Sequence, residues 1–152
     1  MPYISESIAW AILFLPLCSF VLVAVTIRLL TLSRYAILSC YISTFGIGMA
    51  FVLSMLALNT TIASQTPVGW VSHSWATVGG LDIRVGIMMN PLTSLMLVVV
   101  TGISLVVQVY SHGYMKGDPG YPKYFAFMSL FSASMIGVVL ARNIVQLYVF
   151  WE

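Results

Sequence analysis

The sequence predicts an all-α integral membrane protein of four complete transmembrane helices and the first half of a fifth, with a short β-hairpin in the loop between helices 2 and 3. Three observations predict it. Hydrophobic residues make up 61% of the chain and charged ones only 7%, which cannot give a small soluble domain a wetted exterior. The 152 residues suffice for four or five spans of about 20 residues each, with little left for an extramembrane domain. Turn-forming and polar residues gather in a few short stretches, and apolar runs of spanning length lie between them. The net charge of +2 is small and dispersed, so no nucleic-acid partner is expected; the lipid bilayer is. Cys18 and Cys40 both lie inside apolar runs and are read as small core residues rather than a disulfide or metal pair. The first basic residue is Arg28, so the N-terminus lacks the positive region of a cleaved signal and its apolar segment is expected to be retained.

The first span is expected from about Ser7 to Leu30, with Pro16 tolerated inside it and Arg28 and Arg34 framing a tight turn. The second runs from about Tyr35 to Leu58. Along it Ser39, Ser43, Gly46 and Ala50 recur at steps of four, three and four, a face of small residues where another helix can come close. From Asn59 to Met89 the composition turns to Thr, Ser, Gly and Trp. Within that stretch "WATVGGLDIRV" reads as a hairpin, placed at about residues 75–87: Gly79-Gly80 turns the chain, Leu81, Ile83 and Val85 share one strand face, and Asp82 and Arg84 share the other. Asn59-Thr60-Thr61 fits a glycosylation sequon, a match that chance alone produces often.

Asn90-Pro91 opens the third span, Asn as the cap and Pro at the first helical position, and the span is expected to end near Tyr110. Thr101, Ser104 and Gln108 stand at i, i+3 and i+7, so they stack on one face. In lipid such groups need partners, and the face is read either as a packing stripe or as part of a polar path for protons. "YSHGYMKGDPGYPKYF" combines aromatic residues, lysines and Gly-Asp-Pro-Gly turn chemistry, which places it at a membrane surface, with His112 expected to be solvated. The fourth span, from about Pro122 to Ala141, carries Ser129, Ala133 and Gly137 at four-residue spacing, and Arg142-Asn143 reverses the chain. With the N-terminus outside, Arg28, Arg34, Lys116 and Lys123 fall in inner loops and Arg84 and Arg142 outside. That balance favours an external N-terminus and an external hairpin.

The fifth segment starts near Asn143, which puts Glu152 about 13 to 14 Å into a helix rising 1.5 Å per residue, near the middle of a hydrocarbon core of about 30 Å. Ending a helix there would leave carbonyls unpaired in lipid, so the chain is expected to continue and these residues to begin a larger subunit. Glu152 is the acid placed deepest, since Glu6, Asp82 and Asp118 lie at ends or in loops. Burial disfavours the charged carboxylate and a neighbouring lysine favours it. A group pushed both ways can take up and release a proton as its partner moves, and intramembrane carboxylates recur in proton relays. The plain alternative is a protonated glutamate hydrogen-bonded to the next helix.

The stretch "YSHGYMKGDPGYPKYFAFMSLFSASMIGVVLARNIVQLYVFWE" carries a family resemblance. Its Y-S-x-x-Y-M followed by D-P-G-Y, then F-x-x-L-F-x-x-S-M, then N-[LI]-x-x-x-[YF]-x-x-W-E, resembles the start of the proton-translocating module of a complex I subunit. That subunit is the largest antiporter-like membrane subunit (chain 5, L or F type) of NADH-quinone oxidoreductase. Two opening helices, a hairpin and "GIMMNPLTSLMLVVVTGISLVV" are similar to the preceding part of that family. Arg142 and Asn90 depart from residues common there, and "SMIGVV" and "NIVQLYVFWE" look like the photosynthetic branch. The resemblance implies residues 1–110 as three helices with an external hairpin and 111–152 as the start of the antiporter-like module. It further implies a subunit that couples NADH or ferredoxin:quinone oxidoreduction to proton translocation, with Glu152 pairing with a lysine two helices later. This chain would bind no cofactor itself; FMN, iron–sulfur clusters and quinone would reside in other subunits. Its partners would be other membrane-arm subunits, an adjacent antiporter-like one included, in a bacterial inner membrane. The competing expectations are the large subunit of a multisubunit sodium/proton antiporter or membrane-bound hydrogenase, and a non-catalytic membrane scaffold.

Overall fold

Long apolar runs that cannot stay hydrated must bury their backbone hydrogen bonds internally, and in lipid a helix achieves this within one segment. The computed structural model describes residues 5–29, 36–64, 68–69, 73–79 and 81–152. Its helices are α1 (Glu6–Leu29), α2 (Ala36–Ser64), α3 (Pro91–Tyr114), α4 (Tyr121–Leu140) and α5 (Ile144–Trp151). The first four are each long and apolar enough to cross a membrane. Between α2 and α3 lie four strands, β1 (Val68–Gly69), β2 (His73–Val78), β3 (Leu81–Val85) and β4 (Met88–Met89).

The strands pair as two nested antiparallel ribbons. β2 pairs with β3, Val78 opposite Leu81 and His73 opposite Val85, with the register shifting between Ser74 and Ala76. β1 pairs with β4, Val68 opposite Met89. The two-residue connection from Val78 to Leu81 uses Gly79 at φ +58°, a left-handed conformation that glycine adopts without a Cβ penalty. The inner hairpin thus covers residues 73–85 rather than 75–87, and a second short pair extends the ribbon towards the helices.

Two helices outrun the sequence expectation. α2 continues six residues past Leu58 because Thr60 and Thr61 turn their hydroxyls back to Leu56, Ala57 and Leu58 carbonyls at 2.9–3.2 Å, satisfying polar side chains within the helix. The Asn59 sequon is therefore helical. α3 continues to Tyr114, four residues past Tyr110, and is capped at Met115; Gly117, two residues on, takes φ +93° in the turn that follows. The turn between Arg28 and Arg34 lies outside the described residues.

In the bundle α2 and α4 touch each other and are flanked by α1 on one side and α3 on the other, while α5 leans on α4. Backbones approach closely where the small residues fall. A Cβ on Gly46 would overlap Ser19 Oγ and stand 3.3 Å from the Leu15 carbonyl of α1. On the same α2 stripe, the Ser43 hydroxyl bonds the Ser129 hydroxyl and the Phe125 carbonyl of α4. On α4, the small stripe receives the Phe150 ring of α5 at Gly137. Such close approaches allow the dense packing that holds helices together where no hydrophobic effect operates.

Candidate functional site: the α5 helix and the polar face of α3

Glu152 follows Trp151 at the end of α5, and its N–H donates to the Tyr148 carbonyl at 3.0 Å, so its backbone continues the helical ladder. Its side chain is exposed, as are Tyr148, Val149 and Trp151 around it. α5 begins at Asn143, whose side-chain oxygen accepts from the Gln146 N–H at 2.7 Å, closing one of the free donors of the first turn. The helix start expected at Asn143 is thus given by the cap itself. Glu152 lies nine residues further, about 13 to 14 Å along the axis.

Among the described residues, one face of α5 is covered. Gln146 is its buried residue, and Phe150 packs on the main apolar cluster. Gln146 Oε1 accepts from the Gly86 N–H at 3.3 Å, and the Asn143 amide donates to the Arg84 carbonyl. A backbone bridge joins Ile87 to Ala141. These contacts tie the strand leaving the hairpin to the α4–α5 turn. Sequence reading singled out neither Gln146 nor the tie. A glutamine three residues into a helix looks like surface polarity until the partner strand is placed beside it.

α3 turns a polar face inward and an apolar face outward, as a helix in lipid does. Its buried residues are Ser94, Leu97, Thr101, Ser104, Gln108 and Ser111, while Ile103, Val106 and Val109 are exposed. Thr101, Ser104 and Gln108 do share one buried face, and the structure adds Ser94 and Ser111 to it. Two of the hydroxyls are engaged, Thr101 donating to the Leu97 carbonyl at 2.7 Å and Ser111 bonding Tyr124 of α4 at 2.8 Å, whereas Ser94 Oγ has no partner among the described residues. Gln108 is the larger case. It is 0% exposed, and neither its amide nitrogen nor its oxygen has a hydrogen-bond partner among the described residues.

His112 is not simply solvated. It is half-buried, its Nδ1 lies 2.7 Å from the Tyr121 hydroxyl, and its ring tilts against Tyr41 of α2. The extra turn of α3 brings it there. Around it Cys40, Tyr121 and Phe125 form a second buried cluster at the end of the bundle that carries the α3–α4 loop.

Comparison with known proteins gives four likenesses. Residues 75–125 match the family described as NADH-Ubiquinone oxidoreductase (complex I), chain 5 N-terminus. The chain is 35% identical over 153 residues to an NAD(P)H-quinone oxidoreductase chain 5 of Synechocystis, covering 95% of this chain and 21% of the relative. It is likewise 35% identical over 148 residues to the chloroplastic NAD(P)H-quinone oxidoreductase subunit 5 of Mesostigma viride, covering 95% of this chain and 22% of the relative. The chain therefore spans about a fifth of the length of these relatives. Among solved structures, a chain of the membrane-bound sulfane sulfur reductase, an archaeal respiratory membrane complex, superposes with a TM-score of 0.74 at 18% identity. It covers 95% of this chain and 28% of that one, a likeness of fold.

Proposed function

We propose that this chain, which belongs to the chain 5 family of complex I, forms the N-terminal part of a membrane-arm subunit that couples quinone reduction to proton translocation. The observation that carries the reading is the 35% identity across 95% of the chain to a quinone oxidoreductase chain 5. Four membrane-crossing helices and an acid at the end of α5 agree with it. Relatives named for quinone reduction at this identity favour that role over a sodium/proton antiporter with the same core, and over a passive scaffold.

In this reading residues 1–110 form peripheral helices carrying the hairpin, and residues 111–152 begin the antiporter-like module. Glu152 takes up and releases a proton as a basic partner on a later helix approaches and withdraws, because burial and a nearby cation act on a carboxyl group in opposite directions. Redox chemistry, with FMN, iron–sulfur clusters and quinone, belongs to other subunits, and an adjacent antiporter-like subunit is the nearest partner. The chain sits in a bacterial inner membrane with the N-terminus and the hairpin outside and with Lys116 and Lys123 inside, the side that basic residues prefer.

Thr101, Ser104 and Gln108 pack α3 into the bundle in this scheme rather than conduct. The Thr101 hydroxyl is already engaged by the carbonyls of Leu97 and Val98.

The test is Glu152→Gln in the whole complex, with quinone-linked proton uptake followed in vesicles. The swap keeps volume and hydrogen bonding and deletes the titration. Pumping is expected to fall while the complex still assembles; normal pumping in an assembled complex would take Glu152 out of the path.

A further inference from the structure

The first turns of α5 are seated by hydrogen bonds and packing that bear on how the helix is turned. Those contacts come from two directions. Phe150 is laid against Gly137 of α4. Asn143 and Gln146 reach the strand that leaves the hairpin, Asn143 donating to the Arg84 carbonyl and Gln146 accepting from Gly86.

Asn143 uses both halves of its amide, the oxygen capping α5 through the Gln146 N–H and the nitrogen holding the strand. Residues 143, 146 and 150 stand at i, i+3 and i+7, one face of the helix. Glu152, two residues beyond Phe150, is rotated by about 200° at about 100° per residue and points away from that face. The buried Gly86 N–H, past the end of β3, is satisfied by the Gln146 side chain, and a buried donor left without a partner in a membrane is costly.

We infer that Asn143 and Gln146 are positioning residues that clasp the outgoing strand of the hairpin, set the rotation of α5 and so aim Glu152. The inference rests on the reading of Glu152 as the proton-handling group. It makes the β-ribbon between α2 and α3 part of the pumping machinery through the backbone groups of Arg84 and Gly86, with no titration in the clasp itself.

The experiment uses the assembled complex in vesicles and reads protons moved per quinone reduced. Gln146→Leu keeps bulk and deletes the acceptor; Gln146→Glu keeps an acceptor oxygen for Gly86. Asn143→Asp keeps the capping oxygen and deletes the donor to Arg84. Gln146→Leu and Asn143→Asp are expected to lower the ratio, with quinone reduction continuing. Gln146→Glu is expected to restore it. A wild-type ratio in both of the first two variants overturns the inference, and so does a Gln146→Glu variant as impaired as Gln146→Leu. Should Gln146→Leu fail to assemble, Asn143→Asp decides, since the α5 cap survives in it. Failure of both to assemble also overturns the inference, because the clasp would then hold the subunit together rather than aim a side chain. Glu152→Gln, run alongside, separates the two readings. If it pumps normally, the role of Glu152 falls. If it pumps poorly while the clasp variants pump normally, only the clasp falls.

Discussion

At the end of the bundle that carries the β-ribbons, Ile87 and Met89 are fully buried against Leu97, Ile136 and Leu140, and α5 is hung from the outgoing strand by Asn143 and Gln146. At the opposite end the seal is aromatic and partly polar. Phe125 is enclosed by Cys40, Tyr121 and Tyr124, the Tyr121 hydroxyl meets His112, and the Tyr124 hydroxyl meets Ser111. The first end joins the main chain of a strand to side chains of a helix some 60 residues away, so disturbing it moves a helix. The second joins neighbouring helices through side chains, so disturbing it costs stability locally. The ends should therefore respond differently to mutation, one in coupling and the other in stability.

Phe125→Ala is expected to have the largest effect on stability. In lipid the transfer term of a soluble core is missing, but the cavity remains, and a loss of about 2–3 kcal/mol follows. It should lower the thermal inactivation midpoint of the complex while leaving protons per quinone unchanged. A changed ratio would break the division between the ends.

Gly137→Ala comes next. A methyl there overlaps the Phe150 ring, and overpacking of this kind costs about 1–3 kcal/mol. Here both the midpoint and the proton ratio should fall, because Phe150 is one of the points that seat α5. An unchanged ratio would mean that α5 shifts without consequence.

Gln108→Leu sharpens the comparison from between the ends. Its amide is buried without a partner among the described residues, so replacing it by an apolar group of similar size should raise stability by about 1 kcal/mol. Pumping should stay at the wild-type level. A fall in pumping would instead make the α3 face a proton path.

Tyr121→Phe is the smallest change. It removes one hydrogen bond to His112, worth about 0.5–1.5 kcal/mol. A double-mutant cycle with His112→Gln should recover most of that as coupling energy, and a cycle with no coupling would show the contact to be incidental.

Much of this arrangement could be read in the sequence, for identifiable reasons. Asn90 and Asn143 start helices because an Asx side chain caps the chain locally, and Asn90 accepts from the Thr93 N–H at 2.7 Å as its position before Pro91 suggests. The shared face of Thr101, Ser104 and Gln108 follows from helical periodicity alone. The ends of α2 and α3 did not follow, since threonines that bond their own helix and a tyrosine-rich last turn look like loop composition. His112 illustrates the cost: placed in a loop it is solvated, and placed one turn further along α3 it meets Tyr121.

The membrane class, the four spans, the hairpin turn at Gly79 and the start of α5 are all legible in the amino-acid order, because each depends on composition or on residues within one turn of each other. It took the packed helices to show that the hairpin's outgoing strand holds α5, that Gln146 is buried and that Gln108 has no partner among the described residues. Those facts depend on which backbone groups meet after the helices pack. Hydrogen bonds between Gly86 and Gln146, 60 residues apart, leave no periodic trace in either segment.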